Sequence, residues 1–298
     1  MTRFAIILAA LVLAAPAHAQ TAPTAQEIAV YAGLHEAAAK GDAAEIEKLI
    51  KEGEKPNIQD SRSRTPLHVA VYLKQYDAAR ALLKAGANPN ALEIDRYDIV
   101  TIASVANDIE MLKLALAGGA SAKNITSRYD GTALIAAAHA GHPEVVKILI
   151  DAKAPLNHVN NLGWTALMEA VVLGNGGRNY VEIVRSLVDA NADVNIADRQ
   201  GGTPLQHARR RGYTEMARII EAWLPLTFAV NSINRSMGLP DLYPFVLAPA
   251  VIVKLTFIHD RIHTGDLQRR PSAHQGLKAI VAGLKRKMSA PIPADPPG

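Results

Sequence analysis

The sequence predicts an all-α solenoid of about six repeated helix-turn-helix units. One apolar position recurs at near-constant spacing, an alanine stands three residues after it every time, and the units open on helix-capping residues and mostly close on Gly or Asn. Self-similarity at a period of roughly 20–50 residues defines a repeat architecture, so it takes precedence over any local reading.

The recurring apolar position is Leu34, Leu67, Val100, Leu134, Leu167 and Leu205, spaced by 33, 33, 34, 33 and 38 residues. Ala37, Ala70, Ala103, Ala137, Ala170 and Ala208 follow it. A methyl group there lets helices of adjacent units approach closely, where a larger side chain would overpack the stack. Two residues before the apolar anchor stand Ala32, Thr65, Asp98, Thr132, Thr165 and Thr203. Five of these six are good N-caps, and Pro66 and Pro204 follow at the first helical position, where a missing N–H costs nothing.

A second helix follows in each unit, for example from Glu144 to Ile150 and from Glu182 to Val188, with acidic residues at its positive end and helical apolar spacing. It stops at Gly53, Gly86, Gly119, Lys153 or Asn191. That position suits a left-handed residue, so Lys153 is expected to be a weak point.

Thr65-Pro66-Leu67-His68-Val69-Ala70 and the turn Ala85-Gly86-Ala87-Asn88-Pro89-Asn90 resemble the signature and closing turn of the ankyrin repeat. The resemblance covers residues 27–223, in units of about 27–57, 58–90, 91–123, 124–157, 158–195 and 196–223. Tetratricopeptide units share the period but lack both motifs. Unit three departs most, with Asp98-Ile99-Val100-Thr101 at the signature. Unit five carries five extra residues near Asn175-Gly176-Gly177-Arg178-Asn179, expected to lengthen the turn between its helices.

The family fold implies antiparallel helix pairs stacked side by side, β-hairpin-like finger loops, and a concave face made of finger tips and first helices. It also implies that His35 and His68 serve hydrogen bonds within and between repeats. The overall plan is similar to exported bacterial ankyrin proteins, some of them associated with catalase and peroxide defence.

Arg3, the apolar run from Phe4 to Ala15 and the small-x-small sequence Ala17-His18-Ala19 read as a signal peptide over residues 1–19. The run is shorter than the roughly 20 residues needed to cross a bilayer. The expectation is a mature chain from Gln20 in the periplasm of a Gram-negative bacterium, with a linker over 20–26 and no transmembrane anchor after cleavage. The absence of cysteine excludes disulfides, thiol catalysis and Cys-based metal sites.

The net charge of +4 does not indicate nucleic acid. Residues 20–223 hold 22 Lys and Arg against 24 Asp and Glu, and residues 224–298 hold 9 against 4. A near-neutral body gives no electrostatic support to polyanion binding.

Nine of the 17 prolines fall in residues 224–298, where the period disappears. Phe245 to Ile258 is apolar but too short and too interrupted to span a membrane. This basic tail reads as a poorly ordered extension, as a membrane-surface or partner-binding arm using Lys278, Lys285, Arg286 and Lys287, or as the product of a reading-frame change.

The sequence shows no P-loop, no Gly-x-Ser-x-Gly and no His-Glu-x-x-His. Gly174, Gly176 and Gly177 lie in the inter-helix insertion and do not follow a strand, which speaks against a phosphate cradle. His139 and His142 lack further ligands, the latter belonging to the family's Gly-His turn. His259 and His263 have only Asp260 as a nearby carboxylate. We therefore expect no cofactor, no metal and no catalytic residue.

The expected function is that of a monomeric scaffold binding another protein, identity open. The alternatives are a peroxide-protective accessory acting through a partner enzyme, and an enzyme. Placing each unit on the family's finger and first-helix positions nominates Arg62, Arg64, Tyr72, Tyr97, Arg128, Tyr129, Trp164, Arg199, Arg210 and Arg211 for the partner. Arg, Tyr and Trp combine large contact area with polar reach and dominate interface hot spots.

Overall fold

The structure, a computed structural model, describes residues 20–223. The stretch read as a signal peptide, the tail and the His259–His263 pair lie outside those residues. A short helix α1 (Ala25–Ala29) precedes six helix pairs: α2 (Gly33–Lys40) with α3 (Ala43–Lys51), α4 (Pro66–Tyr72) with α5 (Tyr76–Lys84), and α6 (Ile99–Val105) with α7 (Ile109–Ala117). Next come α8 (Ala133–Ala140) with α9 (Pro143–Asp151), α10 (Ala166–Val172) with α11 (Arg178–Asp189), and α12 (Pro204–Arg210) with α13 (residues 214–223).

The caps read from sequence start the first helices. The side chains of Thr65, Asp98, Thr132, Thr165 and Thr203 each accept the backbone N–H three residues on, whereas Ala32 makes no such bond. Each bond satisfies one of the four N–H groups that a helix start leaves orphaned.

First helices pack on first helices in succession, from α2 through α12. The second helices form an outer layer behind them, with α3 on α5, α7 on α9 and α9 on α11. The repeated alanine is at most 3% exposed in every unit, so the close approach it permits is realised throughout. Leu34, Leu67, Val100, Leu134 and Leu167 are buried to the same degree, but Leu205 is only partly covered. Each unit contacts only its neighbours, and no seventh repeat follows among the described residues.

Five units close in the left-handed conformation: φ is 101° at Gly53, 84° at Gly86, 90° at Gly119, 62° at Lys153 and 71° at Asn191. A β-carbon crowds the following carbonyl there, and Lys153 has neither the freedom of Gly nor the local hydrogen bonding of Asn. Lys153→Gly is expected to stabilise the array by about 1 kcal/mol, read as a raised urea midpoint at unchanged slope. An unchanged or lowered midpoint would count against strain at this turn.

Two features depart from the expectation. The insertion in unit five lengthens the turn, but it also extends α11 to 12 residues where α9 has 9. Tyr213 of the next unit donates to the Gly174 carbonyl at 2.9 Å and packs against Gly176, so the turn is fastened to the stack. The second departure is α1, which starts inside the stretch read as linker. Thr24 and Glu27 form its capping box, and Glu27 reaches across to Arg64 at 2.7 Å.

Candidate functional site

The loops between units fold into five short hairpins, each closed by backbone hydrogen bonds such as Asp60 N–H to the Arg64 carbonyl at 3.0 Å and Asn160 N–H to the Trp164 carbonyl at 3.0 Å. A polar residue five positions before the N-cap braces four of them from inside. Asp60 accepts the N–H groups of Arg62 and Arg64, Glu93 that of Tyr97, Asn160 those of Leu162 and Trp164, and Asp198 those of Gln200 and Gly202, all within 2.7–3.1 Å. Such turns satisfy backbone donors that the hairpin leaves unpaired.

Adjacent fingers are joined by main-chain bonds: Ile94 N–H to the Arg62 carbonyl at 2.9 Å, Ser127 N–H to that of Arg96 at 2.9 Å, and Asn161 N–H to that of Tyr129 at 2.8 Å. The fifth finger is joined by a side chain, Arg199 Nη2 donating to the Asn161 carbonyl.

Within this frame the structure assembles half of the nominated residues around one carboxylate. Asp95, 8% exposed, receives Arg62 Nη2 at 3.2 Å from the preceding finger, and from the following one Arg128, whose Nε lies at 3.2 Å. Burial holds the hydroxyls of Tyr72 and Tyr97 above the usual tyrosine range, and the negative charges of Glu93 and Asp95 add to it. Glu93, 4% exposed, is itself raised by burial, against the backbone hydrogen bonds that favour its charged form. The Arg128 guanidinium is held more firmly protonated by its hydrogen bond to Asp95.

Tyr129 stands at the edge of this cluster and is 38% exposed. The aromatic rings and guanidinium groups are thus fixed before any partner arrives, which lowers the entropy lost on binding. Sequence reasoning missed Glu93 and Asp95. The available signal was the recurrence of Asp60, Glu93, Asn160 and Asp198 at the same finger position.

The other nominated residues separate. Trp164 is half-buried in the fourth finger. Arg199, Arg210 and Arg211 are exposed in the last unit. Arg64 is a correction: it is 0% exposed, its Nε donates to Asp60 at 2.7 Å and its Nη2 to Glu27 at 2.7 Å, so it ties α1 to the first finger and has no surface to offer a partner. Asp60 shows how tight that contact is. Burial alone would raise its pKa, yet hydrogen bonds from Tyr31, Arg64 and two backbone amides hold it below the usual range.

A second polar group, also unread in the sequence, lies on neighbouring first helices. Glu169, 3% exposed, accepts from Asn160 at 3.0 Å and faces His139 Nδ1 at 3.2 Å, which raises the imidazole pKa. His142 instead bonds the Val105 carbonyl at 3.2 Å, and His35 that of Arg64 at 2.9 Å. Among the described residues no group of three or more His, Asp or Glu could hold a metal, and no helix is long and apolar enough to cross a membrane.

The family model for ankyrin repeats matches residues 18–93 and 100–198, more than half of the chain. The chain belongs to the ankyrin-repeat family. The ankyrin repeat protein YahD of Escherichia coli is 32% identical over 187 residues, which cover 62% of this chain and 92% of that protein. A solved ankyrin repeat domain of Acinetobacter baumannii AYE is 43% identical, with a TM-score of 0.62, covering 64% of this chain and 96% of its own.

A second family model, for zinc-binding metallo-peptidases, matches residues 178–261, less than half of the chain. Its first part coincides with α11 to α13, which fold as ankyrin helices, and the rest lies beyond the described residues. An uncharacterized protein of Mycobacterium tuberculosis is 61% identical over 41 residues, 14% of this chain and 12% of that protein.

Proposed function

We propose that this ankyrin array is a non-catalytic scaffold that binds another protein on its concave face, in the periplasm after export. The observation that carries the reading is the cluster of Arg62, Tyr72, Tyr97, Arg128 and Tyr129 around Asp95, built by one first helix and three successive fingers. Preorganised aromatic and arginine side chains next to buried carboxylates make specific, desolvated contacts. Export is supported by the basic residue, apolar run and cleavage motif of residues 1–19.

The test is affinity capture from periplasm, followed by titration of the captured partner against single variants. Tyr129→Ala and Trp164→Ala are each expected to weaken binding by about 2 kcal/mol, roughly thirtyfold, with little change in melting temperature. Unchanged affinity in both variants would sink the assignment. A lowered melting temperature alone for Trp164→Ala would make that ring a packing residue.

The match of residues 178–261 favours a second reading, in which the C-terminal part serves a metal-dependent hydrolase. Elemental analysis of the full chain after dialysis against zinc decides it. The scaffold reading expects no stoichiometric zinc, and one equivalent retained would overturn the non-catalytic part of the proposal.

A further inference from the structure

Arginines in the described part of the array fall into two groups by what holds them. Those of units two to four all face carboxylates: Arg62 and Arg128 on Asp95, Arg64 on Asp60 and Glu27, Arg80 on Asp77, and Arg96 on Asp130. Three in the last unit are fixed by other groups instead. Arg199 lies over Gly163, with its stem where a β-carbon would otherwise stand, and donates to the Asn161 carbonyl. Arg210 Nη2 lies 2.9 Å from His207 Nδ1 and 3.3 Å from Nε2, the nitrogen that Asp198 holds at 2.6 Å. Arg211 stands 5.9 Å over the Tyr213 ring, whose hydroxyl is anchored on the unit-five insertion. All three side chains are therefore held in place, and among the described residues no carboxylate pairs directly with any of them.

An oriented, exposed guanidinium without a counter-charge is a receptor for carboxylates, because its planar donors match their two oxygens and little ordering entropy is lost on contact. We propose that unit six is the acidic-recognition end of the concave face, and that it receives a segment of the partner protein carrying Asp or Glu beside apolar residues. The inference rests on the scaffold reading above. Apolar residues are called for by Leu173 in the neighbouring unit, 44% exposed, and Val105 further along, 36% exposed. A nucleic acid is disfavoured because the unpaired arginines are confined to one end, while the remaining concave arginines are already neutralised. Tracking a phosphate backbone needs a continuous basic strip.

The experiment is selection of random 12-residue peptides displayed on phage against the immobilised full chain, with a fluorescent single-stranded oligonucleotide titrated in parallel. The comparison chain carries Arg199→Gln, Arg210→Gln and Arg211→Gln, with its thermal melt as folding control. Expected are peptides enriched in Asp and Glu next to apolar residues. Their affinity should fall at least tenfold in the triple variant and decline steeply with salt, and the oligonucleotide should not bind. Peptides that lose binding in Tyr129→Ala but show no acidic enrichment, or ignore the triple variant, would overturn this inference and leave the scaffold reading standing. Arginine-dependent oligonucleotide binding would also overturn it. Failure to select any peptide sensitive to either set of variants would remove both.

Discussion

Arg64→Met is expected to destabilise the array by about 3 kcal/mol, the cost of removing one member of a buried charge group and leaving the others unpaired. The guanidinium is fully enclosed and answers two carboxylates, Asp60 at the base of the first finger and Glu27 in α1. Its loss strands Asp60 in an environment where burial opposes its charge. Urea denaturation of the variant checks the magnitude. Partner affinity measured where both proteins remain folded should be unchanged, since the side chain reaches no surface. A variant of ordinary stability and impaired binding would return Arg64 to the interface.

Lowering the pH from 7 to 4 should cost about 3 kcal/mol through His68 alone. Burial depresses its pKa from 6.5 to about 4. The tautomer explains the penalty: the Thr65 N–H donates to Nδ1 at 3.1 Å, so Nε2 carries the hydrogen and donates to the Ala91 carbonyl at 3.1 Å. A proton added at Nδ1 would oppose the N–H that closes the capping box. Because the folded-state pKa lies below the unfolded one, the contribution is fully present above about pH 6.5 and is lost as pH falls through 4.

His139 acts in the opposite sense. Its pKa is raised by Glu169, so its contribution is present at low pH and fades as pH rises through the raised value. In His68→Gln, stability at neutral pH should fall while the slope of stability between pH 6.5 and 4 loses about one proton. Parallel slopes in variant and parent would refute a neutral buried His68.

The array was largely legible in the sequence, since a repeat states its periods many times over. Six alanines at one position and Thr or Asp at another fix where helices start and which face they bury, and the left-handed turn at Lys153 followed from its place in that register. The site was legible in its surface residues only. Tyr72, Tyr97, Arg62, Arg128 and Tyr129 follow from family positions, but Asp95 acquires its meaning from two arginines 33 residues away on either side, a pairing made only by stacking. Arg64 shows the reverse limit. It occupies a finger position like Arg62 two residues before it, and only the arrival of α1 over it decides that it is inside.

The joints between fingers give the stack a direction. Units two to five are seamed by main-chain bonds, which survive any substitution but proline at the donor, whereas the last seam is stitched by the Arg199 side chain. The same guanidinium that we assign to the partner is therefore also a fastening. A carboxylate that meets the remaining N–H groups of Arg199 leaves Nη2 on the Asn161 carbonyl, so the fastening and the contact can coexist. The joint of the last finger and the group offered to the partner are thus one residue, so a substitution at Arg199 touches both.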